Sequence, residues 1–186
     1  MPEKIIILSG ARQSGKSNTL EALQQILTYV GQLNFYEYNG KRICIFRTSP
    51  QEMKGVRFCV DADVSNRIDG MIAKCDSGQC RLLILPFSLR TNRSRQLNMG
   101  CIERPIERLR SRFEVHLVYL RRETNDAGRP LTGLVEMDDL MRRLNAETII
   151  RSRQRYQEQA REPLAIIDKV DPQPLMSRWL TARKTG

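Results

Sequence analysis

A single histidine, a single tryptophan and an aromatic content of 6% leave this 186-residue sequence with few side chains for imidazole chemistry or for stacking nucleic-acid bases. His116 lies in FEVHLVYL and reads as a core or edge residue of a strand rather than a catalytic one. No apolar run approaches the roughly 18 residues a membrane-spanning helix needs. The chain opens almost at once on a strand, without the layout of a signal peptide, so the expected location is the cytoplasm. Five cysteines (Cys44, Cys59, Cys75, Cys80 and Cys101) are odd in number and irregularly spaced. Cys75 and Cys80 have four residues between them, and no second pair completes a zinc site. They read as reduced, mostly buried thiols.

Basic charge is in excess. Thirty-one Lys and Arg against twenty-one Asp and Glu give a formal +10. Ten arginines fall between Arg81 and Arg122, against Glu103, Glu107 and Glu114. Such a segment attracts polyanions, or else forms a solvated basic face. The scarcity of aromatic residues favours small phosphates over long nucleic acid as its partner.

The most informative stretch is KIIILSGARQSGKSNT, residues 4–19. The β-branched run Ile5 to Leu8 stops at Ser9-Gly10, as a buried parallel strand does. GARQSGKS follows and fits G-x-x-x-x-G-K-[ST] at Gly10, Gly15, Lys16 and Ser17. Leu20, Leu23, Leu27 and Val30 then share one face of a helix, with Ala22 and Ile26 beside it. Glycines let such a loop wrap phosphate oxygens with its backbone N–H groups, and the helix N-terminus adds partial positive charge. A chance glycine-rich turn is the alternative; four matched positions with a strand before and a helix after argue against it. The segment resembles the P-loop NTPase superfamily. That resemblance implies ATP or GTP with Mg²⁺, bound by Gly10, Ala11, Arg12, Gln13, Ser14, Gly15, Lys16, Ser17 and Asn18. Lys16 would reach the β- and γ-phosphates and the Ser17 hydroxyl the metal.

Further along, Asn39-Gly40 suits a type I′ turn between arms at 33–38 and 41–47, read as a hairpin inserted after the first helix. Thr48 to Glu52 reads as a capped helical turn. Val56 to Val60 reads as a short strand and Ser65 to Lys74 as a helix. Leu82 to Leu85, Val115 to Leu120 and Leu164 to Ile167 read as buried strands, the first closed by Pro86. Residues 94–113 form a basic helical segment, and 172–182 a closing helix. Gly128, Pro130 and Gly133 mark a loop before a long helix, 136–162, so that 121–162 is a candidate lid. Strands alternating with helices predict one α/β domain over 1–186, a three-layer P-loop fold with a mainly parallel sheet and helices on both faces.

No guanine-reading motif is present: Asp168-Lys169-Val170-Asp171 has the wrong first residue. TIIRSRQRYQEQAREPLAIIDKV resembles the end of nucleoside monophosphate kinases, thymidylate kinase especially, and LLILPFSLRT resembles a strand segment of adenylate kinases. The resemblance implies phosphate-clamping arginines at Arg151, Arg153 or Arg155 and a strand end at Ile167-Asp168. Arg151 and Arg155, four residues apart on the expected lid helix, share a face and are the candidate catalytic arginines with Lys16. Arg90 and Arg93 are further phosphate-gripping candidates. The segment Leu82 to Phe87 has no carboxylate to organise Mg²⁺, so Asp61 and Asp63 are the nearest candidates beside Ser17. Two readings follow. One is a nucleotide-kinase-like phosphotransferase acting on a small phosphorylated acceptor. The other is an ATPase or nucleotide-dependent binding protein whose basic face holds nucleic acid or a protein. No membrane partner is expected, and self-association is left open.

Overall fold

The continuous apolar run at the N-terminus becomes the centre of the molecule: β1 (Lys4–Ala11) is buried along its length after Lys4. The computed structural model describes residues 1–11, 14–31, 34–52, 61–89, 100–124, 129–131, 133–150, 165 and 167–169. After β1 come α1 (Lys16–Ile26), β2 (Thr28–Tyr29), β3 (Phe35–Tyr38), β4 (Lys41–Ile45), a 3₁₀ turn at Pro50–Glu52 and α2 (Asp61–Ser77). β5 (Leu82–Leu89), α3 (Gly100–Arg110), β6 (Glu114–Arg121), α4 (Leu134–Arg143) and β7 (Glu147–Ile150) complete the named elements. The strands form one seven-stranded sheet in the order β2-β3-β4-β5-β1-β6-β7. From β4 to β7 every neighbouring pair is parallel, and β2-β3-β4 is an antiparallel meander at one edge.

Alternate residues of β1 divide two apolar layers, as the period of a strand requires. Ile5 and Ile7 pack with Val64 and Ile68 of α2, Ile106 of α3 and Leu140 of α4. Ile6 and Leu8 pack with Leu20 and Leu23 of α1 and with Ile167. The chain is therefore α/β, with α2, α3 and α4 on one face of the sheet and α1 on the other.

The hairpin exists, and its Asn39 and Gly40 have φ of 53° and 74°, as a type I′ turn needs. It is not an insertion beside the sheet. Ile43, Cys44 and Ile45 pair in parallel with β5 and are buried, so both arms belong to the main sheet. The short apolar Ile43-Cys44-Ile45 run had the composition of an interior strand.

β5 runs through Pro86 instead of ending there. In a parallel strand the polar groups of alternate residues point to the same side. Ile84 O accepts from Phe46 N on the β4 side at 3.0 Å, so position 86 also faces that side. The β4 ladder has ended by then, its last register pair being Ile45 with Ile84, and no ladder bond needs the N–H that proline lacks.

The expected helix 136–162 is two elements. α4 stops at Arg143, where Asn145 takes φ 50°. Asn145 N and Ala146 N donate back to Arg142 O and Met141 O at 3.0 and 2.9 Å, a Schellman closure. The β-branched segment Glu147–Ile150 then pairs in parallel with β6. α4 buries Met137, Leu140 and Met141 in the core, so it is a core helix and not a lid.

Residues 165 and 167–169 are helical, against the strand expected at 164–167. Asp168 Oδ1 there accepts from Tyr38 Oη at 3.0 Å, and Lys169 pairs with Glu147 at 3.0 Å. α2 begins at Asp61 rather than Ser65, so Asp61 and Asp63 lie in its first turn. The strand expected at 56–60 and the closing helix at 172–182 lie outside the described residues.

Candidate functional site

Right-handed crossovers explain where the faces divide. From β1 the chain moves across the sheet to β4 by way of α1. From β4, β5 and β6 it moves the other way, and those helices cover the opposite face. Thus β1 sends its chain to one face while its two neighbours, β5 and β6, send theirs to the other. In open α/β sheets ligands bind outside the carboxyl ends of strands at such a switch point. The loop from Gly10 to Gly15 sits there.

The loop's geometry follows from two glycines. A Cβ on Gly10 would collide with Ser14 Oγ and would lie 2.9 Å from the backbone oxygen of Leu120 on β6. Only glycine lets the loop leave β1 so close to its neighbour. Gly15, with φ 89°, is the left-handed residue that starts α1. Ser14 is buried, and its N–H donates to Ala11 O at 3.1 Å.

Lys16 is 8% exposed and folds back over the loop. Its Nζ donates to Gly10 O at 2.8 Å and Ala11 O at 2.7 Å, with Ser14 Oγ at 3.4 Å. The first helical bond of α1 runs from Thr19 N to Gly15 O at 2.9 Å, and Thr19 Oγ1 donates to the same oxygen at 2.9 Å. The N–H groups of the first turn therefore lack acceptors within the helix. No side chain caps α1, and no acidic residue lies in its first turn. Ser17 and Asn18 are exposed in that turn. A buried ammonium and an uncapped helix N-terminus converge on one small loop, an arrangement suited to an anion.

Of the residues singled out from the sequence, the fold brings together Gly10, Ala11, Ser14, Gly15, Lys16, Ser17 and Asn18. Arg12, Gln13, Arg90, Arg93, Arg151, Arg153 and Arg155 lie outside the described residues. Of Asp61 only the helical placement is described; Asp63 is half-buried in the same turn. The basic segment 81–122 is not one face. Arg81 pairs with Glu3 at 2.7 Å before β5 begins, while Arg121 lies at the far end of β6 and pairs with Asp138 at 3.0 Å and Glu123 at 2.9 Å. Arg108 and Arg112 both pair with Asp69, and Arg110 donates to Leu144 O.

Sequence reasoning missed Gln51 and Glu52. Ser88 is the register partner of Gly10, and its Oγ donates to Glu52 Oε1 at 3.4 Å. Gln51 is buried beside it: Oε1 accepts from Ser49 Oγ and from Ser88 N, and Nε2 has no hydrogen-bond partner among the described residues. The 3₁₀ turn was legible in Ser49-Pro50-Gln51-Glu52, but its seat across the end of β5 depends on a register no local signal carries.

Two other clusters are structural. Cys44, Cys75 and Cys80 are buried free thiols. Burial is the chief cause pushing the Cys80 thiol up to about 11. Tyr119 is raised by burial and then by its hydrogen bond to Asp138, so it stays protonated. Among the described residues no helix is long and apolar enough to cross a membrane. No protein-family model matches the chain, and no curated protein matches it.

Proposed function

We propose that the chain binds ATP or GTP with Mg²⁺ at Gly10 to Ser17 and acts as a nucleotide-kinase-like phosphotransferase, moving the γ-phosphate to a small nucleotide-type acceptor. The observation that carries the nucleotide part is the convergence of Lys16 Nζ with the uncapped start of α1, at the carboxyl end of the central strand. The transfer part rests on the sequence likeness of residues 148–170 to the end of nucleoside monophosphate kinases, apart from the strand end it implied at Ile167-Asp168, which is helical. Pairing of Arg81, Arg108, Arg112 and Arg121 with carboxylates leaves less continuous positive charge for a nucleic acid, which favours a small substrate.

In this reading the N–H groups of the first turn of α1 hold phosphate oxygens. Lys16 exchanges its two carbonyl partners for phosphate oxygens. Ser17, exposed in that first turn, would offer a hydroxyl to Mg²⁺, and Glu52, held by Ser88 in register with Gly10, would be a carboxylate for its water shell, with Asp63 the candidate from the start of α2. Bound Mg²⁺ would neutralise charge on the phosphates. Among the described residues no three His, Cys, Asp or Glu side chains converge into a metal cage, and an ion held mainly by phosphate oxygens and water requires none. The role of Arg151 and Arg155 in stabilising the transferring phosphoryl group rests on the family resemblance alone, since the helix expected to carry them ends at Arg143.

Calorimetric titration with ATP and GTP in Mg²⁺ tests the first half. Wild type should bind one of them saturably, and Lys16→Ala should lose most of that affinity while keeping its circular dichroism spectrum. Equal affinity in both proteins would remove the loop from consideration. Screening nucleosides and nucleotides for acceptor-dependent ADP or GDP release tests the second half.

A further inference from the structure

A second concave site lies away from the glycine-rich loop. Between α2 and the residues that follow β4 there is an open groove of about 470 Å³, within the size range of small-molecule sites. Its lining includes Arg47, Arg67 and Lys74, and no carboxylate among the described residues. Phe46 and Met71, both largely buried, supply an apolar floor.

The residues of α2 that line the groove are spaced for it. Arg67 and Met71 are four apart, as are Gly70 and Lys74, so they form one stripe of the helix. Lys74 Nζ is held 6.0 Å from the centroid of the Phe46 ring. Arg47 is held from the other side by Glu21 of α1 at 3.1 Å, an acidic group that does not line the groove. Gly70 lies inside a helix, where glycine is less favourable than alanine. A Cβ built there meets nothing within 4 Å, and no positive φ requires the glycine. The missing side chain opens the groove.

We propose that this groove is a binding site for a small phosphorylated molecule, with the phosphate between Arg67 and Lys74 and the organic body over Met71 and Phe46. A lining with three basic side chains and no carboxylate among the described residues favours an anionic group, and the apolar floor favours an ester over free phosphate. The proposal does not depend on what the glycine-rich loop binds.

The test is calorimetric titration with two probes, inorganic phosphate and ribose 5-phosphate, on four proteins. These are wild type, Gly70→Leu, the double variant Arg67→Gln/Lys74→Gln, and Lys16→Ala. Gly70→Leu fills open space on a helix, so its thermal midpoint should not fall below that of wild type. The expected result is saturable binding of ribose 5-phosphate, tighter than inorganic phosphate, weakened at least tenfold in both groove variants and unchanged in Lys16→Ala. The proposal is overturned by no saturable binding to wild type, or by equal affinity in the double variant. Loss of binding in Lys16→Ala alone would place the anion at the loop and overturn it too, as would inorganic phosphate binding as tightly as the ester.

Discussion

Gly10 is held to its identity by an atom outside its own loop. The carbonyl of Leu120 stands where a side chain would go, and backbone of a central strand does not yield as a flexible side chain does. Gly10→Ala should therefore lower stability by about 1–3 kcal/mol, the usual range for forcing a methyl group into a packed site. A lower urea midpoint with unchanged slope would show it, and adding Ser14→Gly should recover only part of the loss, because Leu120 remains. Stability equal to wild type would mean that β1 and β6 separate more easily than their pairing suggests. The thiols make a second prediction at this scale. Cys44, Cys75 and Cys80 are three of the five cysteines and are buried. Burial also keeps Cys80 protonated near neutral pH. Those three should resist a thiol reagent in the native protein and react once it is unfolded in urea. Residue-level chemistry was legible for the loop, because the motif is a fixed local spacing. Glu52 and Gln51 were not, because their partner Ser88 lies 36 and 37 positions away.

Among the elements, the edge of the sheet has the most specific packing test. A Cβ on Gly78, just after α2, would collide with the ring of Phe35 on β3 and lie 2.6 Å from its Cζ. That close approach joins the end of α2 to the antiparallel meander. Gly78→Ala should destabilise the protein by about 1–3 kcal/mol, and Phe35→Leu in the same chain should return part of it. A double-mutant cycle in urea checks the coupling; additive losses would show that the two positions do not touch. The elements also show where pattern reading fails. The hairpin turn was plain in Asn39-Gly40, yet its status as part of the main sheet depends on β5, far along the chain. Residues 136–162 read as one helix because charged and apolar residues alternate suitably throughout. Asn145 in left-handed geometry and the β-branched Thr148, Ile149 and Ile150 were the local signs of a break, outweighed in a long window.

For the whole molecule, α/β architecture and a parallel sheet were readable from the rhythm of the chain, but strand order was not. Order depends on pairing between strands far apart in the chain, and it is the place of β1 between β5 and β6 that makes its carboxyl end a switch point. The pairing of Arg81, Arg108, Arg112 and Arg121 with carboxylates is likewise a property of the folded surface. Exposed pairs such as Arg81 with Glu3 contribute little to stability. They do lower the local excess of positive charge. Duplex DNA should accordingly bind weakly, with a shallow dependence of affinity on salt in a gel-shift titration at several ionic strengths. A steep slope, near −0.9 per neutralised phosphate over many phosphates, would restore the alternative of a nucleic-acid partner.

The bent-back Lys16 has a consequence for selectivity. With its ammonium against Gly10 O and Ala11 O, the loop already contains a competitor for any incoming guest. A monovalent halide offers one weak acceptor and cannot replace two carbonyl oxygens held at short range. A polyphosphate offers several oxygens with more charge and can. Under the proposed nucleotide reading, chloride should therefore compete poorly for the loop while a polyphosphate displaces the two carbonyl contacts of Lys16, a selectivity set by internal rivalry rather than by shape.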